Sequence, residues 1–240
     1  MNIAVSNKFA RTILKILLLI AMVLCFLTFA TNGYSLFYGQ DAEVLGLNLN
    51  NWIYLVDIDE ERNIPTWFSS SVLLLCAVLL AAITSSVKTR GDPYTLHWGI
   101  MSIIFVLLSV DENIAIHEWM IGPLRSLLDT GGLFYFAWVI PAGAFVVIFL
   151  LAFMKFVFNL PVKFQRLFIA AGALYVLGSL GMEMLGGLIV ELQQAQNLPS
   201  ARNLPYLTLV TIEEFFEMTG AIIFLYALML YISSIKDTDA

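Results

Sequence analysis

Apolar residues run along the chain in six long stretches that show no strand-like alternation of polar and apolar positions. Each stretch holds roughly 20 residues, which as a helix cross a hydrocarbon core about 30 Å thick. Leu, Ile, Phe and Ala dominate these stretches, which favours helices over a membrane-spanning barrel. We therefore predict an all-α, polytopic membrane bundle of six transmembrane helices, at 13–34, 67–87, 98–120, 133–156, 167–189 and 207–233.

Only one connection between the predicted helices is long, at residues 35–66. Within it, leucines alternate with glycine and asparagine ahead of Asn50 and Asn51, a pattern that predicts a small hairpin, because Asn tolerates the left-handed turn conformation. The alternative is an interfacial segment anchored by Trp52 and Tyr54. No linker or second domain is visible, so we expect a single integral membrane domain over residues 1–240.

The composition supports the membrane interpretation. Hydrophobic residues make up 60% of the chain, charged residues 12%, and the mean hydropathy is +0.87. A soluble chain would be about one quarter charged. The first apolar stretch also admits a secretory signal as an alternative, although its apolar run is longer than a usual signal core.

The basic residues predict the orientation of the bundle. With both termini in the cytoplasm, nine Lys and Arg residues lie inside and three lie outside, which is the bias expected of cytoplasmic loops. We expect the inner (plasma) membrane of a bacterium. The nine inner residues are Lys8, Arg11, Lys15, Lys88, Arg90, Lys155, Lys163, Arg166 and Lys236, and the three outer residues are Arg62, Arg125 and Arg202.

The formal charge of −6 is unevenly distributed. An acidic outer face does not suit nucleic acid as a partner, which leaves the lipid bilayer and small cations or protons. The 35–66 loop is extracytoplasmic in this orientation. The acids assigned to the outer loops are Asp41, Glu43, Asp57, Asp59, Glu60, Glu61, Asp129 and Glu191.

Ionisable residues also interrupt the apolar helices, and they do so at one depth. The third predicted helix ends in "SVDENIAIHEWM", the fifth contains "GMEMLGG" and the sixth begins with "TIEEFFEMTG". At 1.5 Å per residue, all of these acids fall in the outer half of the bilayer. We predict that the eight residues form one metal or proton site: Asp111, Glu112, His117, Glu118, Glu183, Glu213, Glu214 and Glu217.

The energetics limit what such a site can be. An acid near the bilayer centre costs about 2.5–3.5 kcal/mol, so seven of them could exceed the total stability of a typical fold, about 5–15 kcal/mol. No Lys or Arg of these helices lies at that level, although Arg62, Arg125 and Arg202 could reach the uppermost acids. The acids must therefore hold protons or surround a cation. Carboxylates with one imidazole and no nearby thiol favour Ca²⁺, Mn²⁺, Fe²⁺ or Zn²⁺.

Two further patterns bear on the architecture. "LLSVDE" at 107–112 matches "LVTIEE" at 209–214 in residue type, at an offset of 102 residues. Three helices followed by three more run in opposite senses, so a duplication would be a 3+3 inverted repeat, as in many secondary transporters. The fifth helix is rich in Gly and Ala, which predicts a central position, because small faces let helices approach closely in lipid.

Three classes of function fit these features; we expect the first, and the other two are its alternatives. A cation or proton-coupled transporter fits the carboxylates and the repeat, but the inner halves of the helices offer almost no polar route. A membrane-embedded, metal-dependent enzyme acting on a lipid or an extracytoplasmic substrate fits a site that opens outward. The third class is an accessory or assembly subunit, in which a protonated acid network holds the helices together.

Overall fold

The computed structural model describes residues 6–38, 43–44, 47–196 and 203–237 and consists almost entirely of helices. Six of the described helices are long and apolar enough to cross a membrane, which confirms the predicted all-α class and number of spans. The chain thus has the features of an integral membrane protein. The elements are α1 (Asn7–Tyr38), β1 (Glu43–Val44), β2 (Leu47–Asn48), α2 (Leu49–Val56), α3 (Ile64–Thr89), α4 (Thr95–Ile114), α5 (Ile116–Leu128), α6 (Val139–Asn159), α7 (Val162–Val176), a π-helical segment (Leu177–Met182), α8 (Glu183–Ala195) and α9 (Leu204–Asp237).

The third and fourth spans have different bounds from those predicted. The third span ends at Ile114, because Ala115 adopts the left-handed conformation (φ 52°, ψ 47°) and α5 begins immediately after it. The predicted continuous helix 98–120 is therefore wrong in its last turns. The fourth span begins at Val139 and not at 133, because a turn and a short 3₁₀ helix (Gly132–Phe134) precede it.

The long connection holds a short strand pair and a helix. β1 and β2 pair antiparallel, with Glu43 opposite Asn48 and Val44 opposite Leu47. The hairpin turn predicted at Asn50–Asn51 is wrong, because these residues lie in the first turn of α2. The strand pair lies upstream of them.

The central helix of the bundle is α9. Some 61% of its apolar stretch is buried, against 17% for the span that runs from α7 through α8, and α9 packs against α1, α3 and α7. The prediction that the fifth span is central is therefore wrong. Glycines on both sides instead let the fifth span and α9 touch. A Cβ on Gly220 of α9 would lie 2.8 Å from the Ala171 carbonyl oxygen, and a Cβ on Gly178 of the π-helical segment would lie 2.8 Å from the Glu213 carbonyl oxygen.

Serine hydroxyls fasten α3 to α4 near the end of the bundle where α4 ends and α9 begins. The Ser70 hydroxyl donates to the carbonyl of Ser109 at 3.0 Å, and the Ser109 hydroxyl donates to the carbonyl of Ser70 at 2.9 Å. We call this end the acidic end, because the acids of the candidate site lie beside it. Each hydroxyl thus donates a hydrogen bond to a backbone carbonyl of the other helix, in an apolar surrounding.

At the opposite end, aromatic rings of α4, α6, α7 and α9 pack against one another. The Trp98 ring lies 5.0 Å from the Phe156 ring and 4.7 Å from the Tyr231 ring, and the His97 ring lies 5.2 Å from the Phe153 ring. These contacts join α4 to α6 at this end. Both helices also line a cavity that extends from this end to the acidic end.

Candidate functional site

A cavity of about 1050 Å³ extends from the acidic end into the bundle. Its acidic end is lined by carboxylates and one imidazole, and the rest is lined mainly by apolar and aromatic side chains. All eight residues of the predicted site line this one cavity, so the expected convergence is observed; their role as a metal or proton site stays a prediction. We call the ionisable lining the carboxylate wall: Asp59, Glu60, Glu61, Asp111, Glu112, His117, Glu118, Glu183, Glu213, Glu214 and Glu217.

Three members of the carboxylate wall come from the turn between α2 and α3, which is tied to α1. The Thr28 hydroxyl donates to the Val56 carbonyl at 2.6 Å and accepts from the Ile58 amide at 3.2 Å. Asn32 donates to the carboxylate of Asp57 at 3.1 Å. Both α1 residues are buried polar groups whose hydrogen-bonding capacity is used to hold this turn. The turn is thereby fixed against the cavity.

Asp111 and His117 form the best-defined pair of the wall. One Asp111 oxygen accepts from the backbone amide of His117 at 3.0 Å, and the other lies 2.8 Å from the His117 Nδ1. The carboxylate thus caps the first turn of α5, where backbone amides are otherwise unsatisfied. This contact depends on the reversal at Ala115, because residues six apart on a continuous helix would not meet.

A second set of contacts links Trp138, just before α6, to α5 and α8. The Trp138 indole donates to the carboxylate of Glu183 at 2.9 Å, and its ring lies 4.9 Å from the ring of His117. Glu213 of α9 lines the cavity together with Glu183.

The remaining α9 acids lie deeper in the bundle. Glu214 and Glu217 line the cavity, and Glu217 also lines a small adjoining pocket together with Glu112 and Tyr175. Glu112 receives a side-chain hydrogen bond from Ser69 of α3. Carboxyl groups therefore continue along α9 beyond the rim of the cavity.

Three side chains of the wall bring ligand atoms close enough to hold one metal ion. One carboxylate oxygen each of Glu61 and Glu118 and one ring nitrogen of His117 lie within 4.8 Å of one another. We call Glu61, His117 and Glu118 the metal trio. The Glu61 Oε2 is fully buried and has no hydrogen-bond partner within the part of the chain that the structure describes. Because Asp111 engages the His117 Nδ1, the Nε2 is the nitrogen left for a ligand.

Burial and mutual repulsion alter the acid–base behaviour of the groups outside the spans. Burial, reinforced by Glu60, Glu183 and Glu118, raises the pKa of Asp59 to about 7. Burial, reinforced by Glu112 and Glu118, raises the pKa of Glu61 to about 7. The pKa of Glu118 is also raised, again mainly by burial.

His117 is shifted toward its charged form. Burial alone would lower its pKa, but the hydrogen bond and charge of Asp111, with the charges of Glu183 and Glu118, outweigh burial and raise the pKa to about 9. Near neutral pH the ring is therefore an imidazolium that donates its Nδ1 hydrogen to Asp111. A metal ion at the Nε2 would have to displace the other proton.

The outer arginines contribute less than expected. The Arg125 guanidinium lies 3.7 Å from the ring centroid of Tyr135, in a cation–π contact. Arg62 is exposed, and Arg202 lies outside the described residues. Among the described residues that line the cavity there is no Lys or Arg.

Sequence reasoning missed the three acids of the α2–α3 turn. Asp59, Glu60 and Glu61 were assigned to an exterior acidic face, yet all three line the cavity. A signal was available: these acids stand just before the "NIPTW" start of a helix, where Asn63 caps the first turn by accepting from the Thr66 amide. A capped helix start fixes the preceding turn at the membrane boundary, next to the acids of the neighbouring helices.

A family model described as "Domain of unknown function (DUF8692)" matches residues 17–232, so the chain belongs to that family. The match includes four spans in full, most of the first and last spans, and every residue of the carboxylate wall. None of the curated proteins and none of the solved structures compared with the chain matches it.

Proposed function

We propose that this member of the DUF8692 family is a membrane-embedded enzyme that uses a divalent metal ion, held by the metal trio, on a substrate in the cavity. The observation that carries the proposal is the proximity of Glu61, His117 and Glu118, with His117 oriented by Asp111. Metal-binding histidines commonly donate a hydrogen bond from the N–H of their second ring nitrogen to a carboxylate. This hydrogen bond fixes the orientation of the ring and makes it a better ligand. A set of two carboxylates and one imidazole suits Zn²⁺, Mn²⁺ or Fe²⁺ better than Ca²⁺, which prefers oxygen alone.

Three protein ligands leave room for water or substrate on the ion, as in catalytic metal sites. A metal at this position would supply a Lewis acid and lower the pKa of a bound water. Asp59 lines the same wall two residues before Glu61, and it accepts a hydrogen bond from the Tyr206 hydroxyl at 3.4 Å. From this position we assign Asp59 as the group that exchanges protons with the substrate.

The orientation of the bundle completes the proposal. The bias of Lys and Arg predicts that the acidic end lies outside, with both termini in the cytoplasm, in a bacterial inner membrane. The cavity would then receive its substrate from the outer leaflet or the extracytoplasmic side.

Metal analysis of the purified full-length chain tests the proposal, because two adjacent residues provide a matched control. Glu61 belongs to the metal trio, whereas Glu60 lines the cavity outside it. We expect the wild type and Glu60→Gln to retain about one equivalent of metal through purification, and Glu61→Gln and His117→Gln to lose it. His97→Gln is the control for the loss of a histidine, since His97 lies in the aromatic cluster at the opposite end.

Monodisperse elution and cooperative thermal unfolding would establish that each variant is folded. Retention of metal by folded Glu61→Gln and His117→Gln would overturn the assignment of the metal trio. Absence of metal from a wild type supplied with Zn²⁺, Mn²⁺ and Fe²⁺ would overturn the enzyme proposal itself.

A cation or proton-coupled transporter is the second candidate. It is favoured by the deeper carboxyl groups of Glu112, Glu214 and Glu217, which the metal trio does not use. The 3+3 inverted repeat predicted from the sequence would support the same function. Uptake of ⁶⁵Zn²⁺ or ⁵⁴Mn²⁺, or a pH change, in proteoliposomes would favour transport; a metal-loaded chain that moves neither favours the enzyme.

A further inference from the structure

The apolar part of the cavity is larger than a metal site requires. Ligand pockets usually have volumes of about 300–1000 Å³, and this cavity reaches about 1050 Å³. Beyond the carboxylate wall it is lined by Phe, Leu, Ile, Val and Met side chains of α4, α6, α7 and α9. An apolar chamber continuous with a polar end is shaped for a molecule that has both parts.

The cavity opens sideways, at the depth of the lipid chains. Helix α6 meets α4 through rings at one end (His97 with Phe153) and meets α5 through Trp138 and His117 at the other. The few close backbone contacts that α6 makes in between are with α7 and the π-helical segment and not with α4.

Some cavity-lining side chains are themselves strongly exposed. Phe145 is 51% exposed, Leu150 59% and Ile169 51%, so they form the rim of a lateral mouth beside α6. In a bilayer, that mouth faces acyl chains.

The charge of the polar end selects among lipids. Ten carboxyl groups and one imidazole line it, with no Lys or Arg among the described lining residues. Even a divalent ion and an imidazolium leave more acids than positive charges. An anionic headgroup would be repelled and would have no guanidinium or ammonium to bind. A protonated amine or a hydroxyl group would instead donate hydrogen bonds to the carboxylates.

We infer that the cavity binds a long-chain lipid whose head carries an amine or a hydroxyl group, with the chain entering sideways past α6. That this lipid is the substrate rests on the proposed function, whereas its binding does not. The polar end of the lipid would lie beside the metal trio and Asp59, and the chain would lie along Ile104, Phe105 and Phe149.

Photolabelling of the full-length chain in lipid nanodiscs tests this inference. The probes are a long-chain primary amine with a diazirine in its chain and the carboxylic acid of the same chain and diazirine position. We expect the amine to label lining residues of α4 and α6, and the acid to label them at least about tenfold less, equivalent to roughly 1.4 kcal/mol. An unlabelled long-chain amine or alcohol should compete with the probe.

Two pairs of adjacent identical residues give matched controls for the route of entry. Ile104 and Val146 line the cavity, whereas Ile103 and Val147 are 62% and 57% exposed and do not line it. Ile104→Trp and Val146→Trp should reduce amine labelling about tenfold. The Ile103→Trp and Val147→Trp variants should label like the wild type, which also controls for the bulk of the indole.

The outcomes separate this inference from the proposed function. Equal labelling by amine and acid, or equal effects of Ile103→Trp and Ile104→Trp, would overturn the lipid assignment even if metal is bound. Selective amine labelling in a chain that binds no metal would overturn the metal enzyme and leave the lipid site standing. Ile104→Trp should keep its metal, because it lies away from the metal trio.

Discussion

At the scale of single residues, the Asp111–His117 pair determines the chemistry of the site. The Asp111 carboxylate contacts both the backbone amide of His117, in the first turn of α5, and the ring of His117. The orientation of the ring is therefore coupled to the break between α4 and α5 at Ala115. One nitrogen of this held ring lies within 4.8 Å of a carboxylate oxygen of Glu61 and of Glu118. The pair therefore links backbone geometry to the proposed metal site.

Asp111→Asn should lower the pKa of His117. The asparagine carbonyl still accepts a hydrogen bond but supplies no negative charge, so burial becomes dominant and we expect the pKa to fall from about 9 to 6.5 or below. The chain has two histidines, so NMR titration of the imidazole protons of metal-free protein can follow both. Asp92→Asn is the control, since it removes a carboxylate at the opposite end of the bundle, beside Tyr94 and Tyr231. An unchanged His117 pKa in folded Asp111→Asn would contradict this account.

The same pair makes the stability of the metal-free protein depend on pH. The pKa of His117 is higher in the folded chain than its ordinary value of 6.5, so its contribution is fully present below pH 6.5 and is lost as pH rises through 9. We expect the midpoint of thermal unfolding of the wild type to fall between these pH values by more than that of Asp111→Asn. Thermal scans across this range, with a chelator present, measure the difference; parallel curves would show that the pair contributes nothing.

At the scale of the elements, the sequence predicts the helices well and the breaks between them poorly. Length and hydropathy predict six spans because crossing lipid requires long apolar helices, and the shared depth of the acids follows from helical rise. The left-handed Ala115 was not predictable, since Ala strongly favours helix and nothing local opposes it. The π-helical segment before Glu183 was not predictable from local sequence either, because its extra residue per turn accompanies packing against α9.

The close crossing of α7, the π-helical segment and α9 should not tolerate a methyl group. A Cβ at Gly220 would lie 2.8 Å from two backbone atoms, the Ala171 oxygen and the Tyr175 nitrogen, which cannot rotate away. We expect Gly220→Ala and Gly178→Ala to destabilise the protein by about 1–3 kcal/mol, the usual cost of overpacking. Gly172→Ala is the matched control on α7: its Cβ would meet no atom within 4 Å, and it should be neutral or stabilising by up to about 1 kcal/mol.

Thermal unfolding in one detergent compares the three variants. A Cβ at Gly220 would meet only rigid atoms, two of the backbone and the Cβ of Tyr175. Gly220→Ala should therefore be more destructive than Gly178→Ala, where one of the close atoms belongs to the flexible Glu217 side chain. Such a shift would move the carboxyl group of Glu217 but leave that group chemically intact. If Gly220→Ala unfolds at the temperature of Gly172→Ala, the crossing is looser than described.

At the scale of the whole molecule, the uneven charge of the chain connects its fold to its proposed role. Eight acids were assigned to the outer loops, and the structure brings three of them into the cavity. The acidic end is therefore a single electrostatic feature that extends from the turn before α3 to the deep acids of α9. Sequence alone could not join these parts, because the joining contacts are the hydrogen bonds of Thr28 and Asn32 in a distant helix.

The orientation of the bundle decides which leaflet supplies the cavity, and it can be tested by itself. Nine basic residues against three predict both termini in the cytoplasm, so a fluorescent protein fused to the C-terminus should fluoresce and alkaline phosphatase fused there should be inactive. Phosphatase inserted after Asp129, between α5 and α6, should be active. The reverse pattern would place the metal trio at the cytoplasmic face. The lipid would then come from the inner leaflet, because its polar end would lie beside the metal trio on that side of the membrane.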